Sequence, residues 1–266
     1  MLGFIGVGNM GGAILRGALK QGFLQPEEIM ISDLDTALTD ELTKALGVSV
    51  AQSNVDLAKT CDWILLAVKP VYLGGVIEEI RQAAQGKRII SIAAGWNVAK
   101  LQAAFGQDHT GRILRVMPNT PALVGAGYTA LCTETTLSQA ELNWAQKLFS
   151  TLGKVQLLPE RLFDAVIAVS GSSPAYVFMF IESMADAAVR LGMTRPAAIE
   201  AAAMAVFGSA KMVLDTQQHP AVLKDQVCSP AGTTIEAVQA LEKAGFRGAV
   251  MDAMAACAEK SQAMSK

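Results

Sequence analysis

The chain has 266 residues, of which 52% are hydrophobic, enough to bury roughly three quarters of its unfolded surface in one large core or two modest ones, so a disordered chain is excluded. Its 22 Lys and Arg against 24 Asp and Glu leave a net charge of -2, with no basic run, which argues against nucleic acid as a partner. Cys61, Cys132, Cys228 and Cys257 lie far apart without a C-x-x-C pair, and only His109 and His219 could join them, so reduced thiols, a cytoplasmic location and no metal are expected.

Met1 to Ile5 is short, apolar and β-prone, and no basic segment precedes it, so no secretory signal is expected. It runs into Gly6-Val7-Gly8-Asn9-Met10-Gly11 and then a helix-like stretch from Gly12 to Lys20. This strand, G-x-G-x-x-G loop and helix form the context that dinucleotide binding requires. The first glycine permits the tight turn, the second admits a pyrophosphate, and the third lets helix pack on strand. Glu28 to Ser32 reads as a second strand, with Asp33 at its end. That carboxylate either accepts from an adenosine ribose hydroxyl or is a plain turn aspartate.

Alternation continues with a helix over 36–46, strands over 48–51 and 62–68, a helix over 71–84 and a strand over 88–93. It implies a parallel sheet covered on both faces. Further strands are expected over 112–117 and 128–132, on either side of Pro118-Asn119-Thr120-Pro121. Ser138-Gln139-Ala140-Glu141 fits a capping box that opens a helix to about Leu152, and 154–158 is a last short strand. Beyond Pro159 the chain turns helical, with stretches over 172–190, 194–214, 233–243 and 248–264.

The expected architecture is an α/β Rossmann-type doubly wound sheet over 1–159, followed by an all-α domain over 160–266. Ala165 to Ile181 approaches membrane-spanning length, but Ser170-Gly171-Ser172-Ser173-Pro174 is expected to split it into a helix end and a new helix start, buried and outside any membrane. The run Ala201-Ala202-Ala203-Met204-Ala205-Val206-Phe207 offers no wet face, so an extensive homodimer interface is expected through these helices, with larger assemblies open.

In a doubly wound sheet ligands sit beyond the carboxyl ends of the strands. Besides the glycine loop and Asp33, this nominates Ala67, Val68, Lys69 and Pro70, then Ala93, Ala94 and Gly95, and Asn119. Lys69 lies along the cofactor or is a solvated lysine; Asn119 bonds near the nicotinamide or is a turn residue.

In the helical half, Cys228-Ser229-Pro230-Ala231-Gly232-Thr233-Thr234-Ile235-Glu236 opens a helix, whose free N–H groups and positive dipole end suit an anion. The alternative is an ordinary N-cap made by Thr233 or Thr234. Cys228 reads as a small packed residue. Neither histidine is aimed at a cleft, and Lys211 is a candidate base or a solvated side chain. A substrate that gives up no proton fits better. Reducing a protonated C=N bond needs a nearby hydride donor, a carboxylate cradle and one hydroxyl at nitrogen, and the 229–236 loop offers the last two.

Five segments taken together resemble the pyrroline-5-carboxylate reductase family. They are Phe4-Ile5-Gly6-Val7-Gly8-Asn9-Met10, Ala67-Val68-Lys69-Pro70, Arg115-Val116-Met117-Pro118-Asn119-Thr120-Pro121, Ser170-Gly171-Ser172-Ser173-Pro174-Ala175-Tyr176, and Lys224-Asp225 followed by Ser229-Pro230-Ala231-Gly232-Thr233-Thr234. The resemblance covers essentially the whole chain and implies NAD(P)H-dependent reduction of Δ1-pyrroline-5-carboxylate to L-proline, in a homodimer paired through interleaved C-terminal helices. It adds Asn54 to the dinucleotide contacts. Substrate is expected at Ser229, Gly232, Thr233 and Thr234, with the Thr234 hydroxyl catalytic at the ring nitrogen.

Two departures stand out: many relatives carry glycine at the places of Ser173 and Ala231, and several carry serine at that of Asp33. A carboxylate at 33 repels a 2′-phosphate, which favours NADH over NADPH. The competing possibilities are a related imine or β-hydroxyacid reductase with Lys211 or another group as acid, and a non-catalytic dinucleotide sensor.

Overall fold

The computed structural model describes residues 1–106 and 108–265. Strand β1 (Leu2–Ile5) is buried along its whole length and leads into helix α1 (Asn9–Lys20). Then come β2 (Ile29–Ser32), α2 (Thr36–Leu46), β3 (Ser49–Val50), α3 (Asn54–Thr60), β4 (Trp63–Leu66), α4 (Pro70–Ile80), β5 (Arg88–Ser91) and α5 (Val98–Phe105). The sheet is completed by β6 (Arg112–Met117), β7 (Gly127–Cys132), α6 (Gln139–Ser150) and β8 (Gly153–Leu158).

Side chains alternate across each strand, so neighbouring residues feed different cores. Phe4 and Leu65 join one apolar cluster with Ile14, Leu15 and Phe149, while Ile5, Ile64 and Leu66 join another with Leu73, Ile77 and Phe105. Both faces are covered, which is why these strands read as continuous apolar runs and not as an alternating pattern.

The strand order is β3-β2-β1-β4-β5-β6-β7-β8. Pairing is parallel from β3 to β6, antiparallel between β6 and β7, and parallel again between β7 and β8. The alternating strands pair parallel as expected, and the reversal lies beyond them, at β7, for which the alternation gave no direction. Only a single 3-10 turn, Thr120–Val124, separates β6 from β7, too little chain for a helical crossover, so β7 returns antiparallel. The helices α3 and α5 escaped the sequence reading because they have only 7 and 8 residues, too few for clear periodicity. Each is nevertheless capped by its own side chain, since Ser53 accepts from the Asp56 N–H and Asn97 from the Lys100 N–H. The capping box at Ser138 and Glu141 forms as expected.

After a short helix α7 (Phe163–Val166), five residues Ile167–Gly171 form a π-helical turn that leads into α8 (Ser173–Arg190). The break expected at Ser170 to Pro174 is therefore a π turn within a helical run. Pro174 sits in the first turn of α8, where its missing N–H removes no helical bond. The first part of the segment is buried at Val166, Ile167 and Ala168, but the second is not buried within the single chain: Val177, Phe178, Met179 and Phe180 are all exposed. The chain continues through α9 (Arg195–Thr216), α10 (Pro220–Val227), α11 (Thr233–Lys243) and α12 (Phe246–Ser265). Among the described residues two helical runs, Glu160–Arg190 and Arg195–Thr216, are long and apolar enough to cross a membrane by length and composition.

The chain divides into two units, one of Met1–Ser172 with the segment from Cys257 onward, the other Ser173–Ala256.

Candidate active site

Parallel register ends β1, β2 and β4 together, with Ile5 opposite both Ser32 and Leu66, so the loops that follow emerge at one edge of the sheet. The strand order reverses between β1 and β4, which makes the crevice where open α/β sheets take ligands. Gly6 has φ +94° and donates to the Ser32 carbonyl at 2.8 Å. A Cβ on Gly6 would lie 2.8 Å from the Ala67 carbonyl, and one on Gly11 only 2.2 Å from the Gly6 oxygen. These two glycines serve the fold. Gly8 is different, since a Cβ there would meet nothing within 4 Å, leaving open ground for another molecule.

Gly8 is also the N-cap of α1 and supplies no side-chain cap. The starts of α4 at Lys69 and α9 at Thr194 share this, whereas α2, α3, α5, α6 and α10 are capped by Asp35, Ser53, Asn97, Ser138 and His219. An uncapped helix start facing open space fits a pyrophosphate. In the same loop Asn9 is exposed, while Met10 packs partly against the core.

Asp33 clasps the loop. Its Oδ2 accepts from the Val7 N–H at 2.7 Å and its Oδ1 from the Asp35 N–H at 3.1 Å. Asn54 is likewise oriented by protein partners: Oδ1 accepts from the Ser32 hydroxyl at 2.7 Å and Nδ2 donates to Glu79 at 2.8 Å. Sequence reasoning missed Ser32 and Glu79; the one signal available was a hydroxyl closing an apolar strand. The Ala67 N–H donates to the Ile5 carbonyl at 2.8 Å, Val68 is half-buried, and exposed Lys69 precedes Pro70 at the start of α4.

Ala93 is buried, Ala94 half-buried and Gly95 has φ +75°. Asn119 is 8% exposed, and its amide is spent within the protein: Nδ2 donates to the Ser170 carbonyl at 3.1 Å and Oδ1 accepts from the Tyr128 N–H at 2.8 Å. It ties the β6–β7 turn to the π turn.

In the helical unit, the loop between α10 and α11 turns through Ala231 at φ +54°, a left-handed conformation that alanine adopts only under strain. The Gly232 N–H donates to the Ser229 carbonyl at 3.1 Å. Gly232 is the N-cap of α11 and, as at α1, no side chain caps the helix. Thr233 and Thr234 therefore stand inside the first turn with their N–H groups unspent on a cap, Thr233 exposed and Thr234 half-buried. Ser173 is helical, a conformation that does not call for glycine.

The other candidates are occupied elsewhere. Lys211 pairs with Asp215 one turn on, both exposed. The His109 ring stacks on Phe105 at 4.5 Å, and burial pushes its pKa down. Gln107, beside it, lies outside the described residues. Burial pushes the Cys61 and Cys132 thiols up to about 11 and about 12. Among the described residues no group of three potential metal ligands is present.

Residues 160–264 match the family model for pyrroline-5-carboxylate reductase dimerisation, and residues 1–95 match one for NADP oxidoreductase coenzyme F420-dependent. The chain is 46% identical to the pyrroline-5-carboxylate reductase of Escherichia coli K12 over 266 residues, 100% of this chain and 98% of that one. The chain belongs to the pyrroline-5-carboxylate reductase family. The human pyrroline-5-carboxylate reductase 2 is 37% identical to this reductase, across 96% of this chain and 81% of that one. A solved pyrroline carboxylate reductase from Plasmodium falciparum with NADP bound superposes with a TM-score of 0.89 at 34% identity, covering 100% of this chain and 98% of that one. The Coxiella burnetii pyrroline-5-carboxylate reductase gives 0.90 at 32% identity, with coverage of 100% and 98%. This reductase is accordingly an oxidoreductase that uses a nicotinamide dinucleotide, and its helical region is a dimerisation domain.

Proposed function

We propose that this reductase holds the dinucleotide along Gly6, Val7, Gly8, Asn9, Met10 and Gly11, with the ribose side bounded by Asp33 and Asn54 and the nicotinamide half by Ala67 to Pro70 and Ala93 to Gly95. The substrate carboxylate lies at the start of α11, held by N–H groups around Gly232, Thr233 and Thr234, with Ser229 completing the loop. The reaction is reduction of the C=N bond of Δ1-pyrroline-5-carboxylate to L-proline.

The observation that carries this assignment is the uncapped α11 start beside the Thr234 hydroxyl, which supplies an anion cradle and one hydrogen-bonding group in a single turn. When bound, the reduced nicotinamide supplies the hydride. Thr234 orients the ring nitrogen and donates to it as the electron pair arrives, so no separate base is needed. Removing that hydroxyl in Thr234→Val is expected to cost about 1.5–3 kcal/mol, roughly tenfold to a hundredfold in kcat/KM. Unchanged kinetics would take Thr234 out of the mechanism.

NADH is the preferred donor in this proposal. Both the matched family model and the Plasmodium falciparum structure are described with NADP, whereas Asp33 puts a carboxylate at the end of β2. A negative charge there repels a 2′-phosphate. Initial rates with each coenzyme decide it, and a higher kcat/KM with NADPH overturns the preference. We place the domain boundary at 159 and 160, where the dimerisation match begins, although residues 160–172 pack with the sheet unit, and the enzyme works in the cytoplasm without nucleic acid or membrane as a partner. The two long apolar helices lie within the dimerisation match, which gives their surface a use other than lipid contact. Light scattering on the eluting protein tests whether assembly goes beyond the dimer.

A further inference from the structure

The loop after β5, Ala93 to Gly95, has no side chain able to hold its own position, and Gly95 adopts φ +75°, a conformation that glycine takes at little cost. Two neighbours supply what it lacks. The Trp96 indole N–H donates to the Pro70 carbonyl at 3.1 Å, joining the loop after β5 to the loop after β4. The Lys100 ammonium lies 5.0 Å from the centre of the Trp96 ring and reaches the Gly95 carbonyl at 3.5 Å and the Met264 carbonyl at 3.4 Å.

The end of α12 forms the third side. A Cβ on Gly95 would lie 3.0 Å from the Met264 Cβ, and the Ser261 hydroxyl donates to Asp164 at 2.6 Å, holding that end of the helix down. Ser261 is 5% exposed, so this bond is sheltered from water.

We propose that Trp96 and Lys100 are positioning residues for the coenzyme, locking the Ala93–Gly95 loop against the Ala67–Pro70 loop so that the nicotinamide half meets a preformed surface. The proposal rests on the assignment of those two loops to the coenzyme. Trp96 acts through its N–H on Pro70 and through its ring, over which Lys100 lies; Lys100 acts through the two carbonyls. Neither side chain needs to touch the reacting atoms. A loosened loop weakens coenzyme binding because the loop must be ordered each time the coenzyme arrives.

The test uses the full-length enzyme and measures the NADH dissociation constant from the fluorescence of the bound coenzyme, together with kcat, KM and the melting temperature of the coenzyme-free protein. Trp96→Phe keeps the ring and loses the N–H; Lys100→Met keeps the stem and loses the charge; Lys100→Arg keeps the charge. Trp96→Phe and Lys100→Met are each expected to raise the NADH dissociation constant and KM about threefold to tenfold, the worth of one ordinary hydrogen bond. The kcat should change less than KM, the melting temperature should hold, and Lys100→Arg should restore near-normal binding. Gly11→Ala serves as the control on the coenzyme site at the glycine loop, because its added Cβ displaces that loop whatever Trp96 does, and its melting temperature is read beside its binding. Loss in Gly11→Ala with normal binding in Trp96→Phe and Lys100→Met overturns the positioning role alone. Normal binding in all three overturns the coenzyme site as well. Weakened binding with a matching fall in melting temperature, not rescued by Lys100→Arg, reduces the cluster to a structural one.

Discussion

The two units bury their apolar residues in different ways. In the sheet unit Phe4, Leu65 and Ile90 are wholly buried within the chain itself. Between residues 173 and 256 the buried apolar side chains among the described residues are Ala185, Ala198, Ala202 and Leu223, while Phe178, Met179, Phe207 and Leu214 are 65%, 66%, 59% and 70% exposed. The sheet unit is a core closed by its own helices, and the helical unit is half of a core whose other half is a second copy. Hydrophobic content therefore does not distinguish an inside from an interface, because both are burial and only the source of the covering surface differs.

The sharpest way to break this contrast is a charge in the shared core. Phe207, exposed on α9, is expected at the dimer interface, where Phe207→Glu buries an unpaired carboxylate at a cost of several kcal/mol and on the order of a thousandfold in dimer dissociation. Light scattering should show monomer at micromolar concentration, and a persistent dimer would remove α9 from the interface. A comparable factor separates thiols in the sheet unit from ordinary ones. With Cys132 pushed up to about 12 by burial and by the Glu134 carboxylate, and Cys61 up to about 11 by burial, both lie above the usual thiol range. The Cys132 thiolate fraction at pH 8 falls on the order of a thousandfold. Alkylation followed by mass spectrometry should leave both unmodified until the protein is unfolded.

Gly11→Ala comes next. The added Cβ would sit 2.2 Å from the Gly6 oxygen and force the loop apart, costing about 1–3 kcal/mol of fold stability and displacing the coenzyme loop. Calorimetry together with NADH titration should show both losses. The smallest effect belongs to Ala231→Gly. It relieves the strain at φ +54° but loosens the unfolded chain, so a net gain of about 0.5 kcal/mol is expected, near 1–2 °C in Tm. A fall in Tm would mean that the Ala231 methyl group packs against something.

Most of the fold was legible because its signals are local. The turn after β1 needs glycine at fixed spacing, the capping box at Ser138 and Glu141 bonds its own helix, and α11 starts where a glycine precedes two threonines. The functional candidates were legible for the same reason, since loops that follow strands are named by position alone. What each candidate bonds to was not. Asp33 and Val7 are 26 positions apart, Asn119 and Ser170 are 51, and Lys100 and Met264 are 164.

By itself the sequence determined the alternating elements, the glycine loop before α1, the start of a helix at Thr233 and the surplus of apolar helix. The tertiary structure decided the reversed direction of β7, the tying up of Asn119 inside the protein and the meeting of Trp96 with Pro70. The reason is physical. Backbone periodicity, caps and turn chemistry act over a few residues and are written where they act, whereas a hydrogen bond between distant segments exists only once packing has brought donor and acceptor within about 3 Å.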